Sequence, residues 1–251
     1  DEDSLLLTRK SQNVRSPVGE AVDRITRSGL RVMAGFIIGF DNETAGAGER
    51  IVRFVEQTAI PMAMFSMLQV LPHTGLWTRL TREGRLRNAG ANINQTTLLN
   101  FVPTRPLQDI AREYVDGFWQ LYEPAAYLDR VTRYCLMMGP PRNPGPRRGH
   151  NTANILRGLA RLAWQQGIVR PTRMRFWRGL VQVFRHNPKV LDQFLVMCAH
   201  VEDFDAYRRL VREQITAQLA ALGPLPVVAE VPRPTRSTTK ALAESVAATP
   251  D

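Results

Sequence analysis

A chain of 251 residues and 28.3 kDa, 44% of them hydrophobic, can form one large domain or two ordinary ones around a sizeable core. Its two cysteines, Cys135 and Cys198, exclude a disulfide framework, a four-thiolate zinc site and a self-contained iron–sulfur site. The net charge of +10 sits in one stretch: residues 130–189 hold thirteen of the 33 basic side chains, and no Asp or Glu lies between Asp129 and Asp192.

No run approaches the roughly 18 apolar residues of a membrane span. The opening Asp1-Glu2-Asp3-Ser4-Leu5 has neither the basic nor the apolar region of a signal peptide, so a cytoplasmic location is expected. The chain also starts without Met, which raises the expectation that it is a piece of a longer protein.

In chain order, Val18, Val22 and Ile25 keep helical spacing, and Gly29 stands where a left-handed cap is expected. Residues 31–40 are apolar on both faces and end in glycine, as in a strand covered on both sides. A second helix is expected over about 47–57 on Ile51, Phe54 and Val55, and a second continuous apolar strand over 62–70. Thr74 can cap a short helix carrying Leu76, Trp77 and Leu80 that stops at Gly84. This α-β-α-β-α order is the signature of parallel βα units. Two strands are too few for such a sheet, since a barrel needs about eight and an open doubly wound sheet about five or six. The α/β part is therefore expected to be incomplete.

Residues 85–103 are polar and Asn-rich and read as a connector. From Leu107 the pattern is helical. Leu107, Ile110, Ala111, Tyr114, Phe118 and Leu121 form one stripe, Pro124 breaks or kinks it, and Tyr127, Val131, Tyr134 and Met138 continue it. Residues 139–146, rich in Gly and Pro, read as a loop, followed by helices at about 152–166, 173–185, 188–199 and 203–222. The Pro-, Ala- and Thr-rich stretch 223–251 reads as a disordered tail. The fold class is thus α/β then all-α: a βα part over 1–92, a helical domain over 93–222 and a tail over 223–251.

Gly35-Phe36-Ile37-Ile38-Gly39-Phe40-Asp41-Asn42-Glu43 carries the most chemical information. Glycines at the C-terminal end of a parallel strand admit a ligand to the backbone, and that end of an α/β sheet is where ligands bind. Taken alone, the same glycines also fit an ordinary strand–turn junction.

In its context, the string from Met33 to Glu43 resembles the fifth strand of radical S-adenosylmethionine enzymes, specifically those with a cobalamin-binding domain. Further matches follow in order: Ile60-Pro61-Met62, Leu71-Pro72-His73-Thr74-Gly75, Glu83-Gly84-Arg85-Leu86, Asn100-Phe101-Val102-Pro103 and Tyr122-Glu123-Pro124-Ala125-Ala126-Tyr127. The last looks like the opening of the helical C-terminal region of the subgroup that includes hopanoid methylases. The resemblance covers roughly residues 1–200.

It implies the C-terminal βα units of a partial TIM-type barrel, a [4Fe–4S] cluster on a CxxxCxxC loop, and cleavage of S-adenosylmethionine to a carbon radical. Cobalamin-binding members often transfer a methyl group to unactivated carbon. Carried over by position, Gly35, Ile37 and Gly39 lie beside the S-adenosylmethionine, and Leu71 and Pro72 near its adenine. Asn42 stands where the family motif often has Glu, and His73 where relatives commonly have Gly. No CxxxCxxC is present, so the cluster ligands are expected in a missing N-terminal half of the same protein. No catalytic residue is named, and no metal site is expected in this chain.

His73, His150, His186 and His200 share no metal-ligand spacing. Residues 173–185 mix Arg with Trp and Phe. They fit a solvated helix with a packed core face, an amphipathic helix on an anionic membrane, or, least well, a single-strand nucleic-acid binder. Two functions remain open. One is a fragment of a radical enzyme acting on a small or lipid-like substrate. The other is a non-catalytic module that uses the basic helices to hold a membrane or a partner.

Overall fold

The expected alternation of helix and strand is present in the computed structural model, which describes residues 18–41, 43–87, 94–140 and 152–222. Asn42, the greater part of the Gly/Pro loop and the 223–251 tail lie outside the described residues, as does everything before Val18. Helix α1 (Val18–Arg27) buries Val22 and Thr26. Its end turns at Gly29, whose φ of 83° and close approach to the Pro140 carbonyl leave no room for a side chain. Strand β1 (Met33–Ile38), helix α2 (Ala47–Thr58), strand β2 (Met62–Met67) and helix α3 (Gly75–Arg82) follow. Thr74 caps α3 by accepting the Trp77 N–H at 3.2 Å.

Helix α4 (Leu107–Leu121) buries the stripe from Leu107 to Leu121. Pro124 ends no helix. It occupies the first turn of α5 (Pro124–Met137), where its missing N–H costs nothing, and the Glu123 carboxylate caps the Ala126 N–H at 2.7 Å. Helix α6 (Thr152–Trp164) runs into a π-helical turn at Gln165–Val169. Then come α7 (Arg173–His186), α8 (Leu191–Ala199) and the long α9 (Val201–Leu222). Among the described residues no helix is long and apolar enough to cross a membrane.

β1 and β2 pair in parallel, from Met33 opposite Met62 to Ile38 opposite Met67. One face carries Ala34, Phe36, Ile38, Ala63, Phe65 and Met67. Helices α2 and α4 cover it, with Phe36 against Phe54 at 5.9 Å and Phe65 against Tyr114 at 4.9 Å between ring centroids. The other face carries Met33, Gly35, Ile37, Met62, Met64 and Ser66. Met33, Ile37 and Met64 on it are exposed. This corrects the expectation that β1 is covered on both sides: among the described residues the helices pack on one side only.

The two edges of the sheet also differ. Backbone groups in a strand point alternately to its two sides, and the Ile38 carbonyl accepts the Leu68 N–H toward β2. Ala63 and Phe65 therefore point away from β1, and their carbonyls are taken by side chains. The Tyr122 hydroxyl donates to Ala63 O at 2.6 Å, and the Tyr114 hydroxyl and Gln95 Nε2 donate to Phe65 O at 3.1 and 2.9 Å. That edge is closed. On the far edge of β1, the backbone of Met33, Gly35 and Ile37 has no strand partner among the described residues.

One hydrophobic cluster runs from Phe65 and Val70 through Tyr114, Phe118 and Tyr127 to Phe194, Val211 and Ile215, with side chains from both sides of position 92. A buried Arg130 ties α5 to α2 and α4, donating to Glu56 at 2.6 Å and to the Leu121 carbonyl at 2.5 Å. Several basic residues of the 130–189 stretch are thus matched by carboxylates outside it: Arg130 and Arg133 by Glu56, Arg170 by Glu202 and Asp205, and Arg175 by Asp129.

Candidate functional site

Gly35 and Ile37 lie side by side on the open face of β1, with Gly35 opposite Met64. A Cβ built on Gly35 meets no atom within 4 Å. The result is a shallow apolar platform. Ile37 and the exposed Met64 flank a stretch of bare backbone, and the groups of β1 that have no strand partner among the described residues run along its rim.

Gly39, two residues further on, is different. It is buried, has a φ of 103°, and a Cβ there lies 2.9 Å from Leu99 Cδ2. Its N–H donates to Glu43 Oε2 at 2.8 Å, so a buried carboxylate folds back over the strand end and fixes the turn. Burial pushes the Glu43 carboxyl above the ordinary glutamate range, against the Gly39 N–H and Arg105, which favour its charge. Arg105 lies 3.9 Å from Glu43 and pairs with Glu113. Glu113 in turn accepts the Gly46 and Ala47 N–H groups at 3.0 Å each, where the N-terminus of α2 suits an anion. At Glu113 burial works upward, but the bonds from Arg105 and Gly46 outweigh it and hold the carboxyl below the usual range.

Asp41, one residue past Phe40, gathers a second cluster. It accepts from Arg85 at 2.5 and 3.1 Å and from Arg79 at 2.6 Å, while Thr104 donates to its carbonyl at 2.5 Å. Arg85 is buried, also bonds Glu83 and the Val102 carbonyl, and stands 5.9 Å over the Phe101 ring. The C-terminal end of β1 is thus clamped to α3 and to the segment before α4.

Leu71 and Pro72 are exposed at the same end of the sheet. Their position is set by Asn100. Its side chain accepts the Val70 N–H and donates to the Val70 carbonyl, both at 2.9 Å, as a neighbouring strand would. His73 is exposed and holds a φ of 64°, a conformation that glycine adopts without strain.

The five residues fall into two groups: Gly35 and Ile37 on β1 and Leu71 and Pro72 beyond the end of β2 are exposed, and Gly39 is packed. Sequence reasoning missed Glu43, Asp41, Arg85 and Asn100. The acid pair one residue to either side of Asn42 was the available signal for the first two. The reading of 85–103 as a connector concealed Asn100, which is buried together with Leu98, Leu99 and Phe101.

The two cysteines do not suit metal or nucleophile chemistry. Both are buried; burial pushes the Cys135 thiol up to about 12 and raises that of Cys198 well above its ordinary value. No group of three or more potential ligands is found among the described residues.

A protein of Synechocystis sp. named as an uncharacterized methyltransferase is 53% identical over 220 residues, covering 87% of this chain and 41% of that protein. The hopanoid C-2 methylase of Rhodopseudomonas palustris is 31% identical over 206 residues, covering 80% of this chain and 38% of the methylase. The chain thus spans about two fifths of the length of the curated relatives it matches. No solved structure matches it. The family described as a domain of unknown function, DUF4070, matches residues 74–217, from the cap of α3 to the last turns of α9, and the chain belongs to that family.

Proposed function

We propose that this chain is the C-terminal part of a radical S-adenosylmethionine methylase of the cobalamin-binding type. It would contribute the last two βα units of a partial TIM-type barrel and the helical domain that follows. One observation carries the reading: the sheet is closed by tyrosine hydroxyls on the β2 edge and, among the described residues, open on the β1 edge and on one face. Further strands can join only beside β1, which would make the open face the lining of a barrel. The names of the two relatives and the run of motifs from Met33 to Tyr127 support the same assignment.

In this reading S-adenosylmethionine lies along the open platform. Gly35 leaves room for it, Ile37 and Leu71 present apolar surface to the adenine, and Pro72 stiffens the neighbouring turn. Gly39 acts indirectly, because its N–H is held by Glu43 and sets the curvature of the strand end. S-adenosylmethionine held there would supply a carbon radical, and cobalamin, where used, would supply the methyl group. The cysteines of this chain do not fit a [4Fe–4S] cluster, so its ligands belong to the portion that docks on β1. The substrate is a small or lipid-like molecule with an unactivated carbon.

The test is to translate the DNA upstream of the Asp1 codon. A continuous frame with CxxxCxxC roughly 100 to 150 residues ahead, a distance of several ~30-residue βαβ units, is expected. In the protein it encodes, Gly35→Val should weaken S-adenosylmethionine binding without lowering the unfolding midpoint. A stop codon followed by a start near Asp1 would remove the enzyme reading.

A further inference from the structure

Helix α7 has two apolar faces. Phe176, Gly179 and Val183 are buried, with Phe176 stacked near Phe194 at 6.4 Å and Gly179 against Thr132. Met174, Trp177, Val181 and Phe184, spaced by three, four and three residues, form a second stripe that faces outward; Met174 is 73% and Phe184 62% exposed. The Trp177 indole donates to the Gly167 carbonyl at 2.9 Å and lies against Gly167, fixing the π-helical turn beside this stripe. The π-helical turn packed on α7 carries Ile168 and Val169, and α6 carries Leu156 and, just before the turn, Trp164, all exposed.

Cations border this apolar surface. Arg178 and Arg185 follow Met174 and Val181 by four residues and so line one edge of the stripe, Arg173 lies at its other edge, and α6 carries Arg157 and Arg161. All five are exposed and form no ion pair among the described residues, and no carboxylate occurs from 130 to 191 to neutralise them. This contrasts with Arg130, Arg133, Arg170 and Arg175, which are matched by acids elsewhere in the fold.

We infer that this face docks the chain on an anionic lipid bilayer. Helix α7 and the π-helical turn lie in the interface, with Met174, Phe184 and Trp164 at the acyl boundary and the arginines among the lipid phosphates. The open arginines have no acid on their own segment to match them, so the face suits an anionic partner, and a helix that sets Arg beside exposed Trp and Phe has the form of one that lies in an anionic bilayer interface. Long basic side chains at a headgroup boundary bury their stems and keep their charges among the phosphates. The inference is independent of the chemistry proposed above, since it needs neither cofactor nor cluster.

Co-sedimentation of the full 251-residue chain with vesicles tests it. Binding is expected to mixed phosphatidylcholine–phosphatidylglycerol vesicles and not to phosphatidylcholine alone. It should weaken with added salt and shift tryptophan emission to the blue. Replacing Arg178 and Arg185 with Gln should lower partitioning about fivefold each, the factor expected for one basic residue near such a surface. Met174→Ser with Phe184→Ser should abolish the emission shift. All four positions are exposed, so matching circular dichroism spectra verify that the variants fold.

Met33→Ser with Met64→Ser, on the open sheet face, is the control and should leave binding unchanged. Binding that follows this control instead of the α7 variants, or no preference for the anionic vesicles, would overturn the inference. So would binding by this chain that disappears in the longer protein encoded upstream, because the face would then belong to a contact within that protein.

Discussion

The two glycines of the β1 motif should respond in opposite ways to the same substitution. At Gly39, alanine must hold a φ of 103° and place its Cβ 2.9 Å from Leu99 Cδ2. Backbone strain of about 1–3 kcal/mol and overpacking of about 1–3 kcal/mol together give a loss of about 2–6 kcal/mol, a large share of the ~5–15 kcal/mol that holds a typical domain. At Gly35 the backbone has no positive φ and a Cβ meets nothing within 4 Å. Alanine there restricts the unfolded chain and should stabilise by about 0.4–1 kcal/mol. Urea unfolding followed by circular dichroism reads both, with the midpoint falling for Gly39→Ala and rising slightly for Gly35→Ala. Leu99→Ala, which alone costs about 2–5 kcal/mol, should cost less in the Gly39→Ala background, because the removed methyl groups are those the new Cβ strikes. Equal shifts at the two glycines, or greater damage at Gly35, would refute the division of the motif into an open and a packed half.

Three other outcomes follow from the geometry. Glu43 titrates above its ordinary value of 4.5 because it is buried, so the folded state binds its proton more tightly than the unfolded one. Its contribution is full below the unfolded value and is lost as pH rises through the raised folded value. Stability profiles of the wild type and Glu43→Gln should therefore diverge across that window and run parallel above it. Tyr122→Phe removes the 2.6 Å bond to Ala63 O and leaves a strand-edge carbonyl unpaired; urea unfolding should show a loss of about 1–3 kcal/mol. Cys135 and Cys198, buried and held as thiols, should resist a disulfide reagent at pH 8 in the native chain and react fully in urea; rapid native labelling of either would contradict their packing.

Much of the organisation was legible from local pattern. The spacing of Val18 and Val22, the apolar runs at 31–40 and 62–70 and the stripe from Leu107 to Leu121 each depend on residues within a turn or a strand of one another, and helices and strands form within those segments. The motif from Gly35 to Glu43 was equally visible, being a property of nine consecutive residues. Pro124 was read as a break or kink, because its sequence cannot say whether the helix on either side continues. The Glu123 cap makes it a beginning.

What tertiary structure alone decided concerns partners distant in the chain. β1 is apolar at every position, so no periodicity could tell which face the helices cover. Phe54 and Tyr114 chose it by packing against Phe36 and Phe65. Which edge of the sheet is closed depended on hydroxyls 49 and 59 residues away in the chain. The charge of the basic segment was countable from the sequence, but its division into matched and open arginines was not, since Glu56, Glu202 and Asp205 reach it only through the fold. Periodicity reports which local structure a segment adopts. Exposure, pairing and the difference between Gly35 and Gly39 are set by contacts across the fold, and those exist only once the helices have packed.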